Sequence, residues 1–149
     1  MPGLTLVHRT EAPIDKSSVH AALAAAPNPD VSPDLSHDLL YTTRHTVLAI
    51  SHYPGYPWRW IETERFQIAL EGHIYDLAMP ATESLAEVAD QIFGASSLQH
   101  AVASWLPTVD GDFVLWMRAK DSGQTVLLND MLGRLPLYAS LDQSPAGET

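Results

Sequence analysis

The chain lacks cysteine altogether and is poor in positive charge. Its 149 residues contain eight Lys+Arg against eighteen Asp+Glu, so the formal net charge is −10 with neutral histidines. Without cysteine there is no disulfide, no cysteine–zinc site and no cysteine nucleophile. Neutralising phosphates takes clustered basic side chains, so this charge removes the electrostatic basis for binding nucleic acid, and it also disfavours anionic membrane surfaces.

Long hydrophobic runs are missing as well. No apolar stretch approaches the roughly 20 residues that a membrane span needs. Residues 1–9 carry neither the basic region nor the long apolar region of a signal peptide, so we expect a cytoplasmic location. The seven histidines show no paired ligand spacing, and we therefore expect no metal site. We also expect no cofactor.

What the chain does contain is typical of one globular domain. Apolar residues make up 46% and charged residues 17%, which is not the composition of a disordered chain. A chain of this length buries most of its apolar surface without disulfide or metal staples. We predict a single domain over residues 1–140 and a polar, frayed tail over residues 141–149.

Hydrophobic periodicity predicts more strands than helices. Strands are predicted at 4–7, 39–43, 46–51, 66–70, 112–119 and 124–128, with a last short strand around 135–139. Helices are predicted at 17–26 behind Asp15, from a capping box at Ser84 to Gly94, and at 97–106. Hairpins in place of regular βαβ alternation favour an α+β fold built on antiparallel sheets.

Three segments, in chain order, carry a resemblance to a known family. The segments are Met1-Pro2-Gly3-Leu4, Glu71-Gly72-His73-Ile74-Tyr75-Asp76, and a stretch that runs from Asp110-Gly111-Asp112-Phe113 to Asn129-Asp130-Met131-Leu132-Gly133-Arg134-Leu135-Pro136-Leu137-Tyr138. They resemble Met-Cys-Gly-Ile, Asn-Gly-Glu-Ile-Tyr-Asn and Ala-Arg-Asp-Arg-x-Gly-x-Lys-Pro-Leu-Tyr of the N-terminal glutaminase domain of asparagine synthetases. That domain is a class II glutamine amidotransferase of the N-terminal-nucleophile (Ntn) hydrolase type.

The resemblance implies a fold and a chemistry. The implied fold is a four-layer αββα sandwich, in which two antiparallel sheets lie between helices. In the family, removal of the first methionine exposes a cysteine that attacks the glutamine amide. Here Pro2 stands at that position, and proline offers no side-chain nucleophile.

Other family positions are altered too. Glu71 stands where the family has the asparagine that donates to the oxyanion, and the loss of one such donor costs about 3 kcal/mol. Gly72 is kept, so we expect its backbone N–H to point into the pocket. Val47 stands where the family has the arginine that grips the substrate carboxylate.

We therefore predict a degenerate glutaminase-like domain without glutaminase activity. Its expected role is that of a scaffold or interaction domain for an ATP-dependent amide-forming module of the asparagine synthetase, β-lactam synthetase or lasso cyclase kind. That module is a domain of the same chain or a separate subunit, and a homo-oligomer is the other expected partner. Two alternatives stay open: an enzyme that uses the Pro2 amine with Gly72 as oxyanion donor, and a small-molecule binding module.

The most unusual local feature is an aromatic-rich segment over residues 53–60, which we predict to be a turn. Three roles are open for it: filling the abandoned pocket, docking a partner or binding a small ligand. We expect one of Trp58 and Trp60 to lie in the core and the other to be exposed.

Overall fold

The computed structural model describes residues 2–10, 12–25, 34–75 and 81–135. These residues form seven strands and three α-helices. In chain order they are β1 (Gly3–His8), α1 (Lys16–Ala24), β2 (Ser36–Thr42), β3 (Thr46–His52), β4 (Trp58–Glu62), β5 (Phe66–Ile74), α2 (Ala81–Phe93), α3 (Leu98–Trp105), β6 (Gly111–Ala119) and β7 (Thr125–Asn129). The predicted α+β class with antiparallel sheets is confirmed.

The strands form two sheets in which every neighbouring pair is antiparallel. The small sheet has the order β1-β3-β2, and the large sheet has the order β4-β5-β6-β7. The large sheet is a meander whose central pair, β5 and β6, is aligned over nine residues. In the small sheet, β1 pairs with β3 along its whole length, which fixes the position of the N-terminal residues.

One face of the large sheet is covered by α2 and α3. Ile68 on β5 and Leu115 on β6 point to this face and belong to one apolar cluster with Leu85 and Ile92 of α2. Leu85 and Ile92 lie seven residues apart, so they share one side of that helix. Each fully buried side chain of this kind contributes about 1.5–3 kcal/mol through removal from water.

The opposite face of the large sheet packs on the small sheet. Ala69 and Trp116 of the large sheet contact Leu48 of the small sheet, and all three are fully buried. The ring of Trp60 stacks on that of Trp116 with 6.0 Å between their centroids. The two sheets therefore face each other through an apolar, aromatic-rich layer, which we call the inter-sheet layer.

The helix starts follow the predictions at α1 and α3 but not at α2. Asp15 caps α1 and accepts from the backbone N–H groups of Ser17 and Ser18, and Ser97 caps α3. The second helix begins at residue 81, three residues before the capping box predicted at Ser84. Within the described ranges, no helix combines the length and apolarity needed to cross a membrane.

Two predictions for the large sheet also differ from the structure, and two other predicted segments lie partly or wholly outside the described residues. The strand predicted at 66–70 continues to Ile74, and residues 58–60 of the turn predicted over 53–60 belong to β4, which ends at Glu62. Both differences come from pairing, because β4 and β6 supply hydrogen-bonding neighbours along β5 that local propensity does not record. The strand predicted around 135–139 extends beyond the described residues, and the tail over 141–149 lies wholly outside them.

Candidate functional site

The start of β1 lies against a buried carboxylate on β5. Glu71 is 7% exposed, and its Oε2 accepts a hydrogen bond of 2.8 Å from the backbone N–H of Leu4. A Cβ built on Gly3 would lie 3.3 Å from Oε1 of Glu71, and the φ of +142° at Gly3 also favours glycine. Pro2, directly before Gly3, is half-buried. The fold thus joins the first and second segments of the family resemblance.

The aromatic segment closes the other side of Glu71. The Tyr56 hydroxyl donates a hydrogen bond to Oε1 of Glu71, and Trp58 lies directly opposite Glu71 in the β4–β5 register. Burial raises the pKa of the Tyr56 hydroxyl, and the hydrogen bond and charge of Glu71 raise it further. Among the residues that the structure describes, Glu71 has no cationic partner and is held by these two neutral donors.

The backbone N–H of Gly72 is already occupied. It donates a 2.7 Å hydrogen bond to the carbonyl oxygen of Pro57, at the end of the aromatic segment. The prediction that this N–H points into a pocket as an oxyanion donor is therefore wrong. The reason is tertiary, because the segment before β4 folds back onto β5 and takes the donor.

Gly72 also occupies a place that only glycine fits. Its φ is +85°, and a Cβ there would lie 1.9 Å from the backbone oxygen of Asp112 on the neighbouring strand. Any side chain at this position would have to push β5 and β6 apart. The glycine is required by the close approach of two backbones, whatever the site does.

Val47 lies elsewhere. It is fully buried in β3, where it pairs with Val7 of β1. Its neighbour Leu48 faces the inter-sheet layer, and successive residues of a strand point to opposite faces. Val47 therefore points away from the layer that contains Glu71, so the structure does not bring this predicted pocket residue to the others.

Trp58 and Trp60 lie on the same face of β4, opposite Glu71 and Ala69. Both are half-buried, so the prediction of one core and one exposed tryptophan is wrong. Residues two apart in a strand share a face, because the side-chain period is two. The Trp58 ring lies 5.1 Å from the ring of His52, whose Nε2 is 2.8 Å from a carboxylate oxygen of Asp38.

A second polar centre, which the sequence did not single out, lies at the end of β7. Asp130 is 4% exposed, and its carboxylate accepts from the backbone N–H groups of Leu132 and Arg134. Burial alone would raise the pKa of Asp130, but these donors, together with the N–H of Leu135, outweigh it and hold the pKa below its usual range. Asp130 thus shapes the loop over residues 130–135.

Arg134 ties this loop to the start of β6. Its Nη2 lies 2.6 Å from a carboxylate oxygen of Asp110, and its Nε lies 2.8 Å from one of Asp112. The Asn-Asp-x-x-Gly-Arg pattern of residues 129–134 was the available sequence signal. The pattern carried part of the family resemblance, whereas the structure shows that Arg134 fastens the 130–135 loop to the start of β6.

The remaining candidates for a site are a metal-binding group and a pocket. No group of three or more His, Cys, Asp or Glu side chains within the described ranges is arranged to hold a metal. An open pocket of about 360 Å³ lies between α1 and β2 and is lined by Lys16, Ser17, His20, Ala21 and Leu39. None of Pro2, Val47, Glu71 and Gly72 lines that pocket, so it is separate from the candidate site.

The comparisons with known proteins assign no family. No protein-family model, curated protein or solved structure matches this chain.

Proposed function

We propose that this chain is a degenerate glutaminase-like domain of the asparagine synthetase type that acts as a scaffold for an ATP-dependent amide-forming module. The observation that carries the proposal is the contact between the N-terminal segment and Glu71, through the 2.8 Å hydrogen bond from Leu4. The resemblance requires the first residues and the Glu71-Gly72 pair to meet at one centre. They lie 67 positions apart in sequence, so their contact is not a local consequence of the chain.

The layer arrangement supports the same proposal. The two antiparallel sheets pack face to face, and α2 and α3 cover the large one. The remaining helix, α1, lies beside the small sheet, where Lys16 Nζ donates to Thr42 Oγ1 of β2 at 2.8 Å. The four-layer αββα sandwich of the Ntn-hydrolase type belongs to this proposal, with α1 as the helix layer over the small sheet.

The contacts at the site favour a loss of glutaminase catalysis. A carboxylate at residue 71 repels a developing oxyanion where the family has a donor, and the Tyr56 hydroxyl is directed at that carboxylate. The Gly72 N–H is bonded to Pro57. Pro2 supplies no side-chain nucleophile. Nucleophile, oxyanion side chain and oxyanion N–H are all absent or occupied.

The same contacts weaken the two alternatives. An enzyme based on the Pro2 amine needs Gly72 as oxyanion donor, and that N–H is bonded elsewhere. A small-molecule module needs room beside Glu71, where Tyr56 and Trp58 of the aromatic segment are packed. Filling the former pocket is the role that these contacts favour for the segment.

A glutaminase assay tests the loss of activity. Purified chain incubated with glutamine is expected to release no ammonia above background. The Pro2→Cys/Glu71→Asn variant, with its first methionine removed, restores two of the lost groups and reports whether they suffice. Residue 47 is kept as valine, because an arginine at this fully buried position would bury an unpaired charge. Ammonia release by the unaltered chain would refute the proposal.

The scaffold role is tested by amide synthesis. The module to use is the ATP-dependent synthetase that continues this chain or is encoded beside it, supplied with ATP and ammonia. Its rate is expected to fall when this domain is withheld, because the domain supports the module and does not supply ammonia. An equal rate and equal thermal stability of the module with and without the domain would contradict the scaffold role.

A further inference from the structure

An apolar patch lies exposed at one end of the large sheet. Met131 is 65% exposed and Leu132 is 71% exposed, and both belong to the 130–135 loop that follows β7. Tyr75, also exposed, comes directly after β5. Because β5, β6 and β7 are antiparallel neighbours, the end of β5, the start of β6 and the end of β7 lie side by side at this end of the sheet. We call Tyr75, Met131 and Leu132 the edge patch.

The edge patch is held by a built network. The Asp130 carboxylate accepts hydrogen bonds from the backbone N–H groups of Leu132 and Arg134. The N–H of Gly133 donates to the carbonyl of Asp130 at 3.0 Å. Arg134 then bonds the carbonyl of Gly111 at 2.7 Å and pairs with Asp110 and Asp112. The loop is therefore preorganised while its two apolar side chains stay in water, an arrangement that lowers the entropic cost of binding.

The same network connects Tyr75 to the loop. The Tyr75 hydroxyl donates to Asp112 Oδ2 at 2.7 Å, and Arg134 holds the other oxygen of that carboxylate. The backbone N–H of Tyr75 donates to the carbonyl of Asp110 at 2.8 Å. Tyr75 and the 130–135 loop are thus both anchored to Asp110 and Asp112 at the same end of the sheet.

Charge decides which occupant suits the patch. Asp110 and Asp112, whose side chains are partly exposed, lie beside it and are paired with Arg134, and the chain carries a net charge of −10. A second copy would bring the same acidic rim against this one and would be repelled. A partner with an apolar pocket and a basic rim has complementary charge and shape.

We propose that the edge patch is the docking surface for the amide-forming module, which receives Met131 and Leu132 in an apolar pocket rimmed by Lys or Arg. This inference rests on the proposed function and names the surface through which it operates. Solvent-exposed side chains at the centre of a docking patch carry much of the binding energy, and the charged rim mainly sets association rate and salt dependence.

The test compares two serine variants for binding to the purified synthetase module that continues this chain or is encoded beside it. Met131→Ser/Leu132→Ser removes the centre of the patch, and Leu39→Ser removes an exposed apolar side chain beside α1 as the matched control. Calorimetry is expected to show Kd at least about tenfold weaker for the double variant and unchanged for the control. Raising the salt concentration is expected to weaken binding of the unaltered chain further.

Urea unfolding shows whether the variants are folded, and both should have the same midpoint urea concentration as the unaltered chain. Where one polypeptide carries both modules, slower hydrogen exchange at 130–135 in that polypeptide than in the 149-residue chain is the expected readout. Equal binding by the double variant would overturn the docking surface and leave the proposed function standing. Failure of the module to bind the unaltered chain would overturn both. Self-association of the chain that disappears in the double variant would assign the patch to a second copy and overturn the inference.

Discussion

The two faces of β5 differ in the kind of interaction that holds them. Phe66, Ile68 and Leu70 point to the helices and enter a wholly apolar cluster. On the other face, Ala69 lies in the inter-sheet layer, and Glu71 follows it with hydrogen bonds from another strand and from the aromatic segment. One strand therefore combines a face that needs only apolar volume with a face that ends in directional contacts.

This difference separates stability from specificity. Apolar burial is non-directional and scales with area, so the helix-facing cluster accounts for a large part of the stability without specifying individual partners. A buried hydrogen bond adds little net free energy but is expensive to break, since it leaves an unsatisfied group. Glu71 thus determines where β1 and the aromatic segment lie more than it adds to stability.

The largest effect is expected on the apolar face. Leu115→Ala removes a fully buried side chain from the helix-facing cluster and leaves a cavity, so the free energy of unfolding should fall by about 2–5 kcal/mol. Urea unfolding followed by tryptophan fluorescence measures it. Leu132→Ala, at an exposed position, should change it by less than about 0.5 kcal/mol. Equal losses in the two variants would contradict this account of the core.

The next largest loss of stability is expected at Gly72, where the backbones of β5 and β6 approach closely. Gly72→Ala places a Cβ against the backbone of β6 as well as straining a positive φ, and should cost about 2–4 kcal/mol. Gly55→Ala is the matched control, because Gly55 has a similar φ of +83° but open space around it. It should cost about 1 kcal/mol. If both variants lose the same stability, the close approach of β5 and β6 does not matter.

The directional face is broken by Glu71→Gln. One amide oxygen replaces two carboxylate oxygens, so either the N–H of Leu4 faces an NH2 group or the Tyr56 hydroxyl must turn from donor to acceptor. We expect a loss of about 1–3 kcal/mol and faster hydrogen exchange at residues 3–8. Glu87→Gln, at an exposed position of α2, should change neither quantity. Unaltered exchange of β1 in the Glu71 variant would sink the anchoring role.

The smallest effect is expected from Tyr56→Phe, and it should depend on pH. The folded state raises the pKa of Tyr56 above the ordinary value near 10, so the folded state holds the phenol proton more tightly. Its contribution to stability is therefore full below about pH 10 and is lost as the pH rises through the higher folded value. Tyr56→Phe should cost about 1 kcal/mol at pH 8.

Measurements at alkaline pH test this contribution of Tyr56. Urea unfolding between pH 8 and 11 should show a shallower decline for Tyr56→Phe than for the unaltered chain. Tyrosinate absorbance should show that the variant has one fewer hydroxyl with a raised pKa. Parallel declines in both chains would show that the Tyr56–Glu71 contact is not made in solution.

Local patterns predicted much of the fold but less of the candidate site. The start of α1 behind Asp15, the start of α3 near Ser97 and the hairpin between β6 and β7 follow from residue types and spacing alone. The strand at 58–62 was missed because its proline-rich, aromatic surroundings are typical of a turn and its pairing partner, β5, comes later in the chain. Val47 and the Gly72 N–H were misjudged because strand facing and donor occupancy depend on neighbouring strands.

The sequence by itself determined that no cysteine is available for catalysis, that the chain is strongly acidic and that its strands and helices suit an α+β fold. Those properties depend on composition and on short-range periodicity, which need no tertiary contact. Only the tertiary structure decided that Glu71 is buried beside the N-terminal strand, that Tyr56 covers it and that the Gly72 N–H is occupied. Each of these depends on hydrogen bonds between residues distant in sequence, and such partners exist only once the sheets have formed.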